Sequence, residues 1–372
     1  MNQNFAKISK VLATSLGITA EELTQSYDRA TDADIADLCE LMRLGFGSAE
    51  NVRKEVLAWR YFSSSNNSSD IFVLRYQGKL IGAIGAEPIK VKVGDNEYEG
   101  ITASDIVVHP DHMKRGIGAW MNLYLQHKFP IVVAMGSNEN SNNMVRRLFK
   151  PMNCRYHFKM LFTIKNYLEI RRWPPFIVNP LSVICALPLA LLRVLFLKPL
   201  PDGYTITTVD TAENLPLFFY HPAYKHRNLN SILRSEKYCR WRYDFNPKSD
   251  FKILEMRNEN HFIGYAVVKH PVTGAIAKDW QLMDWDFLPN FRDQKHLQIL
   301  FSAVAKYAIE NNAHSLSVMA SDNLSRMSLR SSGFSHRALD DGFFLWAQSH
   351  VDSAVLDDSN WFLSLCDTDE AL

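Results

Sequence analysis

Asp105-Ile-Val-Val-His-Pro-Asp-His-Met-Lys-Arg-Gly-Ile-Gly-Ala119 decides how the rest of the chain is read. It opens as a short apolar strand, turns at Pro110, runs through a glycine loop and enters a helix. A loop of that kind presents backbone N–H groups at the positive end of a helix, where a pyrophosphate binds well. The stretch therefore points to a cofactor that carries a nucleotide.

Outward from this loop, the chain repeats itself. Trp59-Arg60-Tyr61 recurs as Trp241-Arg242-Tyr243, and Ile81-Gly82 recurs as Ile263-Gly264, both at an offset of 182 residues. The flanking segments IFVLRYQGKLIGAIGAE and FKILEMRNENHFIGYAV each read as strand, polar turn, strand. A later pair, VVAMGSNENS and LSVMASDNLS, repeats at an offset of 184. Each is an apolar strand running into an Asn/Ser-rich turn and a basic helix. Aligned features in one order argue for two copies of one fold. Copy one reads as helices at 32–42 and 49–58, strands at 71–76, 80–92 and 98–109, a helix at 117–128, a strand at 131–136, a helix at 141–149 and a closing strand near 155–164. Copy two repeats this over about 203–347. A strand meander followed by strand–helix–strand–helix–strand is a mixed α/β plan.

The totals bound the partners. The chain has 372 residues, 47% of them hydrophobic, with 41 basic and 40 acidic residues. A large core is available, and the near-neutral balance gives no case for a nucleic-acid-binding surface. The odd cysteine count, with no CxxC pair, suits thiols in a reducing compartment and argues for a cytoplasmic protein. The N-terminus lacks the apolar run and small-residue site of a secretory signal. Ile8, Val11, Leu12 and Leu16 are spaced for one face of a helix that packs on the first domain.

With these residues in view, the chain resembles the GNAT superfamily, the Gcn5-related N-acetyltransferases. The core motif there is a strand, then Arg/Gln-x-x-Gly-x-Gly/Ala, then a helix. Met113-Lys-Arg-Gly116-Ile-Gly118 matches both glycines and departs at the first position, where Met113 replaces Arg or Gln. The resemblance implies two tandem GNAT-like acyl-CoA N-acyltransferase domains over about 26–347, with acetyl-CoA or another acyl-CoA as donor. Met113, Lys114, Arg115, Gly116, Ile117, Gly118 and Ala119 would hold its pyrophosphate. The two glycines would let the backbone approach closely, since a Cβ would intrude. The edge of the strand Ile106, Val107, Val108 would pair with the amide arm of pantetheine, in a gap where this strand splays from its neighbour. Asn138 and Asn142 match the region that contacts that arm.

Asp105 matches the position of an acidic general base, for which partial burial would raise its affinity for a proton; otherwise it caps a strand end. His109 has a mainly structural part. The family's Tyr acid falls near Val145, with Leu329 in copy two, and neither is Tyr. Copy two has Phe287-Leu-Pro-Asn-Phe-Arg-Asp-Gln-Lys-His-Leu297 at the loop, without glycine, and is read as a degenerate domain that has lost tight cofactor binding. The Trp-Arg-Tyr motifs either line the acceptor cleft or form a packing cluster with Arg as a clamp. Glu87 is a further cleft candidate.

The expected division is an N-terminal helix (1–25), a GNAT domain with the loop (26–168), an apolar linker (169–202), the degenerate domain (203–348) and a tail (349–372). Residues 176–197, FIVNPLSVICALPLALLRVLFL, form the most apolar run. They are long enough to span a membrane, but Asn179, Pro180, Pro188 and Arg193 weigh against that. Insertion into one leaflet as a peripheral membrane contact and burial against the domains both stay open. The tail is read as loosely held with one docked Trp361, and Asp367 and Asp369 make no metal site on their own. The function expected is acetyl transfer to an amine or hydroxyl of a small-molecule or saccharide acceptor. A non-catalytic scaffold, or a long-chain acyl transferase fed by acyl-CoA or acyl carrier protein, are the alternatives.

Overall fold

Long apolar strands that alternate around a polar turn fold back on themselves, and here they build the frame for the loop. The computed structural model describes residues 3–47, 52–62, 69–136, 139–212, 229–247, 250–271, 279–340 and 342–368. In chain order the elements begin with α1 (Gln3–Leu16), α2 (Ala20–Gln25), β1 (Tyr27–Arg29), α3 (Ile35–Phe46) and α4 (Lys54–Leu57), which runs into a π-helical turn at Ala58–Phe62. The hairpin strands β2 (Asp70–Tyr76), β3 (Lys79–Val93) and β4 (Asn96–Val108) follow, then α5 (Ile117–Lys128), β5 (Ile131–Met135), α6 (Glu139–Leu148) and β6 (Lys150–Met152). Next come β7 (Arg155–Leu161), α7 (Lys165–Ile170), α8 (Pro175–Phe196), β8 (Tyr204–Val209), β9 (Asn230–Ile232) and α9 (Glu236–Cys239), which leads into a second π-helical turn at Arg240–Asp244. The chain continues through β10 (Phe251–Asn258), β11 (His261–Lys269), β12 (Asp279–Phe287), α10 (Gln294–Glu310), β13 (Ser315–Ala320), α11 (Asn323–Ser331), β14 (Ser335–Asp340), β15 (Phe343–Ala347) and β16 (Trp361–Phe362).

These elements form two compact units of mixed α/β architecture. One comprises Met1–Met152 with Phe245–Pro247 and Asp341–Asp357, the other Asn153–Asp244, Lys248–Asp340 and Asp358–Leu372. In the first, the sheet path is β1-β2-β3-β4-β5-β15-β6, antiparallel apart from the parallel β4–β5 pair. In the second the order is β14-β7-β13-β12-β11-β10-β8, again with one parallel pair, β12–β13. The repeat inferred from the sequence is thus repeated in topology.

The closing strands depart from the simple tandem reading. β7, expected to end copy one, lies between β13 and β14 in the second sheet. β15, the last strand of copy two, lies between β5 and β6 in the first. β15 (Phe-Phe-Leu-Trp-Ala) is apolar and β7 (Arg-Tyr-His-Phe-Lys-Met-Leu) is mixed, and the pattern of each states which face it buries rather than which edge it joins. Local pattern therefore cannot tell which sheet receives them.

Each face of the first sheet has its own core. On one side α5 and α1 cover Phe72, Ile84, Ile101 and Ala103, with Trp120 at the centre. On the other α3 and the π turn cover Ile71, Val73, Ala83 and Val107. The buried face of α1 is rotated from the expected one. Phe5, Ser9, Leu12, Ala13 and Leu16 are buried while Val11 is exposed. Indole Nε1 of Trp120 donates to Ser9 Oγ at 2.8 Å, and Phe5 stacks on the same ring. The rotation follows from that anchor, because a buried indole N–H needs an acceptor. The apolar run forms one helix, α8, through both internal prolines, and Val178 is its single buried residue, so the buried placement does not hold.

Candidate functional site

The loop before α5 is shaped by two left-handed residues. After a 3₁₀ turn at Pro110–His112, Lys114 has φ 64° and Gly116 has φ 88°. Gly116 is the N-cap and offers no side chain to the helix. The first bond back into α5 runs from the Trp120 amide to the Gly116 carbonyl at 2.9 Å. The amides of Ile117, Gly118 and Ala119 therefore have no carbonyl behind them in the helix, and they stand at its positive end. Lys114 and Arg115 are exposed on the same loop, as is Met113. Arg115 Nη1 donates to the Ser15 carbonyl at 3.3 Å, which ties the loop to the end of α1.

The two glycines act differently from each other. A Cβ on Gly116 would meet no protein atom within 4 Å, and the left-handed backbone there favours glycine. A Cβ on Gly118 would lie 3.3 Å from Met144 Sδ and 3.5 Å from Ile106 Cδ1. Its role is close packing of α5 against α6 and β4.

Beside the loop, β4 parts from β5. Parallel pairing runs from Gly100↔Ile131 to Ala103↔Ala134 and stops, although β4 continues to Val108. On its other edge β4 stays paired with β3, through a bulge between Gly85↔Ser104 and Ala83↔Val107. Asp105 sits in that bulge with φ 47°, a conformation uncommon for residues other than glycine. The bulge re-aims the strand. Val107 packs under α3, while Ile106 and Val108 are half-buried on the α5 side. A strand edge freed from its ladder lies next to uncapped helix amides.

Asp105 is held from below by the Trp-Arg-Tyr motif. Its Oδ2 accepts from Arg60 Nη1 and from the Tyr61 hydroxyl, each at 2.7 Å. Arg60 also pairs with Glu87, and all but 3% of its side chain is buried. Tyr61 OH lies 3.1 Å from Ser104 Oγ, and burial raises the phenol's pKa well above its ordinary value. It stays protonated and directs its hydrogen at the carboxylate. No partner for Oδ1 is found among the described residues, and the Asp105 side chain keeps 12% exposure. One oxygen is fixed and the other can accept a proton or hydrogen bond.

The remaining candidates fall as follows. Glu87 is a buried ion-pair partner, 6% exposed, rather than a cleft residue. His109 Nδ1 accepts from the Asp111 amide at 3.3 Å, the structural part expected of it. Asn142 Oδ1 accepts from Arg146 Nε at 3.0 Å within α6. That helix approaches the loop through Met144. Asn138 lies outside the described residues. Val145 and Leu329 are both core residues. Arg60 and Tyr61 were not assigned to Asp105 from the sequence. A usable signal was there: each Trp-Arg-Tyr is followed by an Asp five residues before a proline, Asp105 before Pro110 and Asp284 before Pro289.

In the second unit the same construction is closed by the protein's own groups. Asp284 Oδ2 accepts from Tyr243 at 3.3 Å, Tyr265 at 3.0 Å and Arg234 Nε at 3.2 Å, with the residue 1% exposed. β12 pairs with β13 only as far as Leu282↔Val318. The opening past that point is lined by the tail. Ser321 Oγ donates to the Trp361 carbonyl at 2.7 Å and accepts from the Leu363 amide at 2.6 Å. Ser364 Oγ donates to Asp284 Oδ1 at 3.1 Å, and Arg234 pairs with Asp367 at 2.6 Å. Residues 361–368 are buried throughout, so the loosely held tail is corrected to a packed one. At the N-terminus of α10, the carboxylate of Asp293 accepts from the His296 amide at 2.8 Å. An internal anion already occupies the place where α5 offers bare amides.

Comparison with known proteins follows the same lines. Residues 26–128 match the family model described as Acetyltransferase (GNAT) domain. By sequence alone no curated protein matches the chain. Among solved structures, a probable N-acyltransferase from Enterococcus faecalis superposes with a TM-score of 0.59 at 11% identity, over 86% of this chain and 71% of that one. N-myristoyltransferase of Saccharomyces cerevisiae with bound myristoyl-CoA gives 0.56 at 11% identity, over 86% and 82%. A tandem GNAT protein from the clavulanic acid biosynthesis pathway gives 0.51 at 16% identity, over 87% and 97%. At these identities the likeness is one of fold.

Proposed function

We propose that this chain, whose residues 26–128 match a GNAT acetyltransferase domain, is a member of that superfamily and transfers an acyl group from an acyl-CoA thioester to an amine or hydroxyl of a small acceptor, with chemistry confined to the first unit. The observation that carries the reading is the juxtaposition of three uncapped amides, Ile117 to Ala119, with the β4 edge parted from β5 after Ala103. The residues present fit the donor. The α5 amides, with Lys114 and Arg115 beside them, would hold a pyrophosphate. The free edge of Ile106 to Val108 would accept the amides of a pantetheine arm in place of the missing strand. When bound, the thioester supplies an activated carbonyl and a good leaving group.

The chain's own part is orientation and proton handling. Arg60 and Tyr61 fix one oxygen of Asp105 and leave Oδ1 to take the proton that the acceptor loses on attack. Main-chain N–H groups at the bulge are the candidate donors to the carbonyl oxygen as it gains charge. Acetyl-CoA is the donor proposed and an amine, such as that of an amino sugar, the acceptor class. A cytoplasmic setting is proposed with it, which the thiols of Cys154 and Cys366 support; burial pushes the pKa of Cys154 up to about 12.

Calorimetry of the full chain with acetyl-, octanoyl- and myristoyl-CoA, followed by a thiol-release assay over amino sugars, tests the reading. Binding of acetyl-CoA with acceptor-dependent release of thiol supports it. Tighter binding of the longer chains would move the donor to a long-chain acyl-CoA. No binding of any of them at submillimolar concentration would leave a scaffold and end the enzyme reading.

A further inference from the structure

α8 is inverted relative to a surface helix in water. Its one charged side chain turns inward, where Arg193 donates to the Phe162 carbonyl, and Ser182 Oγ donates to the Val178 carbonyl of its own helix at 2.7 Å. Its outward side is built from Val183, Ile184, Leu187, Leu191, Val194 and Leu195, which are between 56% and 80% exposed. A soluble helix places its apolar stripe on the core and its charges in water. A contiguous exposed patch of branched aliphatic side chains over 22 residues implies a covering apolar phase.

Charge says which phase. Between residues 171 and 201 there is no acidic residue, and the charged ones are Arg171, Arg172, Arg193 and Lys198. Arg171, Arg172 and Lys198 are exposed at the two ends of the helix, and Trp173 is 45% exposed beside the first pair. Cations and an indole flanking an apolar segment match the headgroup level of an anionic bilayer. A second protein copy would have no reason for this one-sided charge.

The connectivity excludes a span. By length and composition α8 is able to cross a membrane. However, Arg193 near its C-terminal end is tied to Phe162, the residue directly after β7. β7 and β8, on either side of the segment, are strands of one sheet. A crossing helix would force residues 163–174 to cross too, carrying Lys165, Glu169, Arg171 and Arg172 through hydrocarbon. Pro180 and Pro188 also remove two helix amides and free the carbonyls one turn earlier, which need water or headgroups nearby.

We infer that α8 lies in the interface of one leaflet and docks the protein on an anionic lipid surface. The inference does not depend on acyl transfer.

The test is cosedimentation of the full chain with phosphatidylcholine vesicles, with and without phosphatidylglycerol. Wild type is expected to pellet with the mixed vesicles and to be released partly by salt. L191D and L195D together are expected to lower the bound fraction by about tenfold or more. Their circular dichroism and acetyl-CoA affinity should be unchanged, since both side chains point away from the core. Trp173 fluorescence should be quenched by lipids brominated near the headgroup and not by those brominated near the chain end. A wild type that stays in the supernatant, or that shields this face by forming a lipid-free dimer, overturns the inference. Quenching from the bilayer centre would overturn the interfacial placement.

Discussion

Replacing Gly116 by alanine isolates the backbone's share of donor binding. Gly116 holds φ 88° at the N-cap of α5, and an added Cβ would meet nothing within 4 Å. Steric cost within the free protein is thereby removed from the comparison. What is left is the left-handed conformation itself, which costs an ordinary residue about 1–2 kcal/mol. If the variant loop relaxes in the free protein, that energy must be returned on binding, and acyl-CoA affinity falls about 5- to 30-fold at 1.4 kcal/mol per tenfold. If instead the loop stays as it is, affinity is kept and the same energy appears as lost stability. Calorimetry with acetyl-CoA and a urea titration on the same variant read both. Gly118→Ala is the control: its Cβ would meet the flexible Met144 thioether at 3.3 Å, so a smaller loss is expected. A Gly116→Ala protein with wild-type affinity and wild-type midpoint would show that the left-handed turn does not form the anion cradle.

Other outcomes follow from the same geometry. Asp105→Asn should lower turnover by about a hundredfold or more while acyl-CoA affinity stays near wild type, because the amide cannot take the proton; unchanged turnover would remove Asp105 from the chemistry. Arg60→Met leaves Glu87 and Asp105 buried without their cation and should cost about 3–5 kcal/mol in urea unfolding. Trp361→Ala empties a fully buried site in the second unit and should cost about 3–5 kcal/mol, where a loosely held tail would cost nothing measurable. Asp279 responds to acid. Burial pushes its pKa up, but hydrogen bonds from Ser315 and Lys159 outweigh this and hold it below the usual value. A carboxylate depressed in the folded state contributes stability that is complete above the unfolded pKa and is lost as pH falls through the folded one. Lys159→Met should therefore lower stability near neutrality and change it least at acid pH, so that the acid limb of the stability profile below about pH 4 is flatter than in wild type.

Much of the fold was legible in the sequence because the information is local. The period of apolar residues set the hairpin strands and α5, and the duplicated Trp-Arg-Tyr motif announced a second copy. The glycine loop was legible for the same reason: a left-handed turn and a helix start are written in consecutive residues. Asp105 could be singled out from its place in the strand, but not its partners. Arg60 and Tyr61 lie more than forty residues away, and only the packing of the π turn under the bulge brings them together.

By itself, then, the sequence determined the mixed α/β class, the two copies, the glycine loop in the first and the absence of glycine from the matching loop in the second. Tertiary structure alone decided which sheet receives β7 and β15, that the tail fills the opening beside β12, and that the apolar helix turns its aliphatic side outward. The physical reason is common to all three. Periodicity states which residues seek burial, but an apolar strand, tail or helix is satisfied by any apolar partner of the right shape. Choosing among partners is a long-range competition settled only when the whole chain has packed.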